Sequence, residues 1–374
     1  MNKKLFQAKE AVFFYLGPAL LRLCAGIALG CCFLGLFVPF LARPAFGASE
    51  AVPPAPLIFE ERREFQGYVR RGMAEVAARL AAQSAAYGQA ELLLARDEDL
   101  RFADRSGSGG LAAPLPLDGL AHMIFSTQVA ALGVEGFPPR LQAVVQVRLT
   151  PPDNQRAALL EALGQPGKLE LYAQILQEQR RLLVRYDQLA EDLLPRRPNE
   201  HGGQEEGHHI QGVVNEMLAL DILLSLLPGY DDRWKQPERA TIDLARAGTL
   251  ASSNPLVLTA LAEAELQMDR PVRALEFASR ALERSPAFAR AHDLKGTILL
   301  RQHLPVLAEE SFTRAIELVP KNPVYFTHRA AARLVLEHLP DMCADFQSAC
   351  GLGDCEGLQW GRHSGVCPNE GGAQ

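Results

Sequence analysis

A spacing of 34 residues recurs through the C-terminal half of the chain, and it constrains the fold more than any other feature. Pro286 and Pro320 are one such step apart, and the alanine and aromatic residues around them keep the same offsets. Four successive units share the register in three series: Ala240, Ala274 and Ala308; Leu244, Ala278, Phe312 and Phe346; and Ala247, Ala281, Ala315 and Ala349. Self-similarity at a fixed period of this size predicts a solenoid, in which each unit buries its apolar face against its neighbours.

Local signals divide each unit into two helices. The segments LVLTALAEAELQM and ARAHDLKGTILLRQ place apolar residues at three and four spacing, as a first helix facing a core should. Pro271 and Pro305 follow short turns, and each suits the first position of a second helix because no backbone N–H is needed there. Small residues at Ala262, Ala274 and Gly296 predict positions where the two helices cross closely.

These residues make the segment resemble the tetratricopeptide repeat (TPR) family. The unit that matches best carries Leu294, Gly296, Ala308, Phe312, Ala315 and Pro320. Two positions depart from the family pattern, since Ala262 stands where glycine is favoured and Met342 stands where a small residue is usual. The resemblance implies a mainly α fold, with a TPR-type α-solenoid of three to four helix pairs over residues 212–350 and a capping helix after it.

By the same resemblance, the inward faces of the first helices form a groove that binds a protein or peptide partner. The groove residues that this implies are Thr259, Glu263, Arg290, Asp293, Thr297, Arg301 and Thr327. The set is mixed in charge, so it does not resemble a basic clamp for an acidic peptide terminus.

The first 47 residues have the pattern of an export signal. Three lysines precede a long apolar stretch, and Ala45-Phe46-Gly47 is an acceptable cleavage site. The run from Leu23 to Ala42 is also about 20 residues long, enough to span a bilayer. Residues 1–47 are therefore a signal peptide or an uncleaved membrane anchor. Lipidation at Cys31 is rejected, because the apolar residues after it do not suit the start of a mature domain.

The next part of the chain predicts a small α+β domain. Residues 48–58 are a proline-rich linker. Within residues 59–152, residues 59–100 predict a helix, with helical spacing from Val76 to Leu94. A short helix follows, and STQVAALGV and LQAVVQVRLT predict two strands around a turn. This order resembles small α+β domains found ahead of repeats in bacterial envelope proteins. His122 lies beside apolar residues, so we expect it to be packed or solvated rather than a metal ligand.

Residues 153–195 predict a long connecting helix. Its apolar seam consists of Leu169, Tyr172, Leu176, Gln179, Leu183, Tyr186, Ala190 and Leu193. This spacing suits a coiled-coil dimer. Packing against the first repeat helix explains it equally well, and we favour that intramolecular interpretation because a polar Gln179 interrupts a short seam.

Residues 196–211 are interpreted as a flexible linker. The stretch holds six side chains of types that bind divalent metals: Glu200, His201, Glu205, Glu206, His208 and His209. Glycines flank these residues and nothing fixes their geometry, so we expect no metal site.

The cysteines indicate an oxidising compartment. Cys24, Cys31 and Cys32 lie in the N-terminal segment, which leaves an even number near the C-terminus. Residues 351–374 are predicted to form a disulfide-bonded cap and tail, in which Leu358 and Trp360 cover the last repeat. The expected pairs are Cys350 with Cys355 and Cys343 with Cys367, and the alternative is Cys343 with Cys355 and Cys350 with Cys367. A zinc site is less favoured, because no C-x-x-C pair is present.

Composition narrows the function. The formal net charge is −6, and a general nucleic-acid binder would need a basic footprint. No phosphate-binding loop or hydrolase motif is found, so no catalytic residues and no cofactor are predicted. The sequence therefore predicts a non-catalytic protein-binding scaffold of the bacterial periplasm. The alternatives are a membrane-anchored envelope assembly component and, less favoured, an enzyme whose site lies in the small domain.

Overall fold

A computed structural model describes residues 55–66, 70–96, 117–137, 140–192, 203–227 and 237–368. The expected export signal or anchor, the first part of the proline-rich linker, and Glu200 and His201 lie outside these residues. In the N-terminal part, the elements are β1 (Leu57–Gln66), α1 (Arg71–Leu94), α2 (Leu117–Ile124), β2 (Ser126–Phe137), β3 (Arg140–Thr150), α3 (Gln155–Leu163) and α4 (Pro166–Asp192).

The C-terminal part consists of consecutive helices. They are α5 (Gly203–Leu226), α6 (Pro237–Leu250), α7 (Pro255–Gln267), α8 (Pro271–Arg284), α9 (Ala289–Arg301), α10 (Pro305–Leu318), α11 (Pro323–Val335), α12 (Leu339–Gly351) and α13 (Glu356–His363). The predicted fold class is confirmed: the chain is mainly helical, with a small sheet domain followed by a solenoid of paired helices.

The three strands form an antiparallel sheet in the order β1-β3-β2. Alternate residues of the central strand are buried, namely Leu141, Ala143, Val145, Val147 and Leu149. Helix α1 covers this face with fully buried alanines at 74, 77 and 78. Because these side chains are small, the helix backbone can approach the sheet closely.

The first strand differs from the sequence prediction. We expected a linker up to residue 58 and a helix after it, but β1 runs from Leu57 to Gln66 and pairs with β3 over its whole length. The segment FEERREF carries the alternation of a strand in Phe59 and Phe65, with charged residues between them. Cross-strand pairs such as Phe59 with Val147 stabilise it, and a pattern read without its partner does not reveal them.

Two predicted boundaries between helices were also wrong. The connecting region contains a separate helix α3, whose N-terminus is capped by Asn154 accepting a bond from the Ala157 amide at 3.0 Å. The expected linker 196–211 becomes helical from Gly203 onward. Helix α5 forms despite its glycines because Ile210 and Val213 are buried against other helices, and tertiary packing of this kind outweighs weak propensity.

Helix α4 packs inside its own chain. Its seam residues Leu169, Tyr172, Leu176, Leu183 and Tyr186 are all buried, and the helix lies against α5, α2, α1 and β1. Within the described residues, this burial leaves no apolar seam for a second copy. The intramolecular interpretation is therefore confirmed over the coiled-coil alternative.

One hydrophobic core crosses the predicted domain boundaries. It extends without interruption from Phe65 in β1 through α1, α4 and α5 to Ala264 in α7. The span His208–Leu226 of α5 is long and apolar enough to cross a membrane by length and composition. In this fold the helix contacts α1, α4, α6 and α7, so its apolar surface belongs to the core.

The helix starts of the last three pairs repeat the 34-residue step. First helices begin at residues 255, 289 and 323, and second helices begin at residues 271, 305 and 339. In each turn between the two helices, one residue has a left-handed backbone: Asp269, His303 and Glu337, with φ of 57°, 61° and 65°. The following amide closes the turn, as when Leu304 donates to the Leu299 carbonyl at 2.9 Å.

The C-terminal cap forms as predicted. Helix α13 follows Gly353, whose φ of 102° allows the chain to reverse. Leu358 is buried, and Trp360 meets Phe346 edge-on with ring centroids 6.2 Å apart. The structure contains both expected disulfides, Cys343–Cys367 and Cys350–Cys355.

We expect the two disulfides to contribute unequally to stability. Cys343–Cys367 spans 24 residues and Cys350–Cys355 spans 5, so the longer loop constrains the unfolded chain more. Replacing both cysteines of the longer loop by alanine should cost about 3.5 kcal/mol of unfolding free energy, against about 2 kcal/mol for the shorter one. Urea denaturation measures the difference, and peptide mapping without reductant checks the pairing. Four free thiols in exported protein would contradict the disulfide pairing.

Candidate functional site

The residues predicted to form the groove lie on α7, α9 and α11, the first helices of the last three pairs. All of them except Arg290 fall, with their counterparts, into three rows with a step of 34. The first row is Thr259, Asp293 and Thr327; the second is Glu263, Thr297 and Ala331; and the third, which we call the C-terminal row, is Gln267, Arg301 and Val335.

Helix α4 lies across part of this face. Its Leu171 and Ile175 form a narrow cleft with residues of α5 and with Leu256, Thr259, Glu263, Phe288 and Arg290 of the repeats. Farther along the array, Glu170 of α4 accepts a hydrogen bond from the Asn322 amide at 3.3 Å. The beginnings of the first helices are therefore covered by the chain itself.

The covered residues are bonded within the fold. Arg290 forms an ion pair with Glu263 at 3.3 Å, which joins two successive repeats. Thr259 is 2% exposed, and its hydroxyl donates to the Pro255 carbonyl at 2.8 Å. Burial raises the pKa of Glu170, and the Arg290 charge and the Asn322 hydrogen bond offset part of that increase. These side chains bond to other parts of the fold, so little of their surface is accessible to a partner.

A second polar group connects the later repeats to the cap. His328 Nδ1 lies 2.7 Å from an Asp293 carboxylate oxygen, and the Thr327 hydroxyl lies 3.1 Å from Asp354. Burial disfavours the charged imidazole, but Asp293 and Asp354 outweigh it, and the pKa of His328 is raised. Asp293 and Thr327 thus have structural partners in the positions predicted for the groove.

We expect His328 to make stability depend on pH. Because the pKa of His328 is higher in the folded chain than in the unfolded chain, protonated His328 stabilises the fold. This stabilisation is complete below the unfolded pKa of about 6.5 and is lost as the pH rises through the folded pKa. His328→Gln should therefore be less stable than the natural chain in mildly acidic buffer, with the deficit shrinking at alkaline pH. Urea denaturation across this range measures it. His209→Gln, at an exposed position, is the control; equal deficits at every pH would contradict the expectation.

The C-terminal row remains accessible. Gln267, Arg301 and Val335 are each partly exposed and lie outside the cleft that α4 occupies. The Arg301 guanidinium donates to the Leu266 carbonyl at 3.1 Å, which fixes it at the end of α7. Thr297, in the neighbouring row, is 8% exposed and donates to the Asp293 carbonyl. Of the predicted groove residues, Arg301 is the one that belongs to the C-terminal row.

The sequence reasoning missed helix α4 as an occupant of the face. The signal was present, because Leu171 and Ile175 form a second apolar stripe beside the seam that we assigned to α5 packing. A helix with two apolar stripes buries more than one side.

Of the histidine and glutamate side chains considered as possible metal ligands, those within the described elements lie on α5 and α2. His208 and His209 are exposed on α5, and the side chains of Glu205 and Glu206 lie outside the described part. Across the ranges that the structure describes, no group of three His, Cys, Asp or Glu side chains could hold a metal ion. His122 is packed, with its ring stacked on Tyr87.

Comparison with known proteins carries no argument about this chain. No protein-family model and no curated protein matches the sequence. A solved structure named "MamA RS-1 ArsTM double mutant" matches with 15% sequence identity and a TM-score of 0.31, over 46% of this chain and 93% of that chain. A similarity of this size carries no inference about function.

Proposed function

We propose that this chain is a non-catalytic scaffold that binds a protein partner through the C-terminal row of its repeat array. The observation that carries the proposal is the division of the inner face: α4 covers the beginnings of the first helices, while Gln267, Arg301 and Val335 stay accessible. Solenoids of paired helices use such extended inner surfaces for binding. Three positions at one repeat spacing suit an extended segment that crosses successive helices.

The chemistry of the row suggests what such a segment carries. Arg301 is a cation, Val335 is apolar and Gln267 is a neutral hydrogen-bonding residue. Ala331, next to Val335 in the neighbouring row, is also partly exposed. The matching partner is a peptide segment with an acidic residue followed by an apolar one, rather than a strongly charged tail.

We place the scaffold in an oxidising, extracytoplasmic compartment. Two disulfides in the cap support this, because such bonds persist mainly outside the cytosol. The apolar N-terminal segment is compatible with a cleaved signal or with an anchor. Detecting a mature N-terminus near Ala48 would select the first, and an intact N-terminus in the membrane fraction would select the second.

Affinity capture from an envelope extract tests the binding face. We expect a partner retained by the natural chain to be lost with Arg301→Glu. Arg314→Glu is the matched control, because Arg314 is exposed on the second helix α10 and pairs with Glu317 at 2.7 Å on the surface. Circular dichroism shows whether each variant is folded. Equal capture by both folded variants would count against the C-terminal row.

A further inference from the structure

A cavity of about 340 Å³ lies between α1, α2, α4 and α5, away from the C-terminal row. Its volume falls within the range of small-molecule sites. Apolar and aromatic side chains contribute the larger share of the accessible wall, although nine of the 16 lining residues are polar or charged. The apolar and aromatic residues are Leu80, Tyr87, Phe125, Tyr172, Leu176, Leu183 and Leu224. Neither the proposed scaffold function nor the packing of α4 on the array uses this space.

One residue of the cavity wall, Gln179, has a buried donor without a partner. Gln179 of α4 is 9% exposed, and its side-chain Nε2 has no hydrogen-bond partner among the described residues. A buried N–H group that loses its bond to water destabilises the fold unless an acceptor replaces it. Leucine would fit the apolar seam on which Gln179 lies. Without a ligand, the unpaired glutamine amide therefore destabilises the fold relative to leucine.

The charges around the cavity are already paired. Arg180 forms ion pairs with Glu91 and with Asp118, and Asp221 pairs with Arg79 at 2.8 Å. Burial, with a smaller contribution from the Arg180 charge, lowers the pKa of His122 to about 3, so its imidazole is neutral. The wall therefore offers no free charge to an ionic ligand.

We propose that this cavity binds a neutral, mainly apolar small molecule with a carbonyl group. In this proposal the Gln179 amide turns toward the cavity and donates its unpaired hydrogen bond to the carbonyl oxygen. The apolar part of the ligand fills the space between Leu80, Leu176 and Leu183. The His122 imidazole makes no hydrogen bond to a described residue and can donate to or accept from a second polar group on the ligand. The site is independent of the C-terminal row.

The probe for this site is prodan, an uncharged naphthalene that carries a ketone and whose fluorescence shifts to shorter wavelength in apolar surroundings. We expect one prodan to bind per chain with such a shift. Ser84→Phe should abolish binding, because Ser84 lines the cavity and the larger ring fills it. Loss of one hydrogen bond in Gln179→Leu should weaken prodan binding by about fivefold. The exposed Gln188→Leu on the same helix is the control and should bind normally.

A second ligand distinguishes the hydrogen bond from non-specific hydrophobic binding. 2-Dimethylaminonaphthalene has the same rings and no carbonyl, so Gln179→Leu should not weaken its binding. Urea denaturation confirms that each variant is folded. The proposal is overturned if the natural chain binds no prodan, if folded Ser84→Phe binds it as well as the natural chain does, or if Gln179→Leu leaves the ratio of the two affinities unchanged.

Discussion

Replacing Asp345 by alanine should lower the unfolding free energy by about 3–5 kcal/mol, the usual cost of breaking a buried ion pair. Asp345 lies on α12 and is 2% exposed. It accepts hydrogen bonds from Arg329 Nε at 3.0 Å and Nη2 at 2.7 Å, and from Arg333 Nη1 at 2.9 Å. Without the carboxylate, two largely buried guanidinium groups of α11 lose their shared counter-charge.

The control for Asp345 is an ion pair of similar length on the surface. Arg314 and Glu317 are 2.7 Å apart, and both side chains are more than half exposed. Glu317→Ala should therefore cost less than about 1 kcal/mol. Urea denaturation of both variants gives the comparison. Similar costs would show that the Asp345 cluster adds nothing to the packing of the last helix pair.

Replacing Phe312 by alanine should cost about 3–5 kcal/mol, because its ring is fully buried between α9 and α10. The ring lies over Gly296: a Cβ at that glycine would come within 2.6 Å of a ring carbon. Gly296→Ala should therefore cost roughly 1–3 kcal/mol through overpacking.

A double variant tests this contact directly. In the Phe312→Leu background the ring is gone, so Gly296→Ala should cost less than it does in the natural chain. Urea denaturation of the two single variants and the double variant measures the difference. If the unfolding free-energy changes of the two single variants simply add in the double variant, the Phe312 ring does not require glycine at position 296.

The repeats and the cap could be predicted because their signals are local and periodic. The 34-residue step predicted the helix pairs and a close crossing at Gly296, where the structure places the Phe312 ring. The even cysteine count predicted a disulfide-bonded cap, and the favoured one of the two pairings is present. Helix starts at proline, such as Pro271 and Pro305, follow from the chemistry of a single residue.

The features that the sequence did not predict depend on contacts between distant parts of the chain. Strand β1 is specified by pairing with β3, about 80 residues later in the chain. The start of α5 is stabilised by burial of Ile210, which its glycine-rich flank does not indicate. The predicted groove residues lie on the first helices of the repeats, but Arg290 and Thr259 face α4. Family resemblance carries no information on what an N-terminal helix covers.

Photo-crosslinking in living cells tests the central claim most directly, since it reports which face of the array meets a partner. A benzophenone side chain would be placed singly at Gln267 and Val335 in the C-terminal row, and at Ile242 and Val272 as controls. The control positions are 70% and 76% exposed on the second helices α6 and α8, so they are at least as available for chance contacts. We expect one discrete cross-linked partner from both row positions and none from the controls. The same partner captured from Ile242 and Val272, with nothing from the row, would contradict the claim.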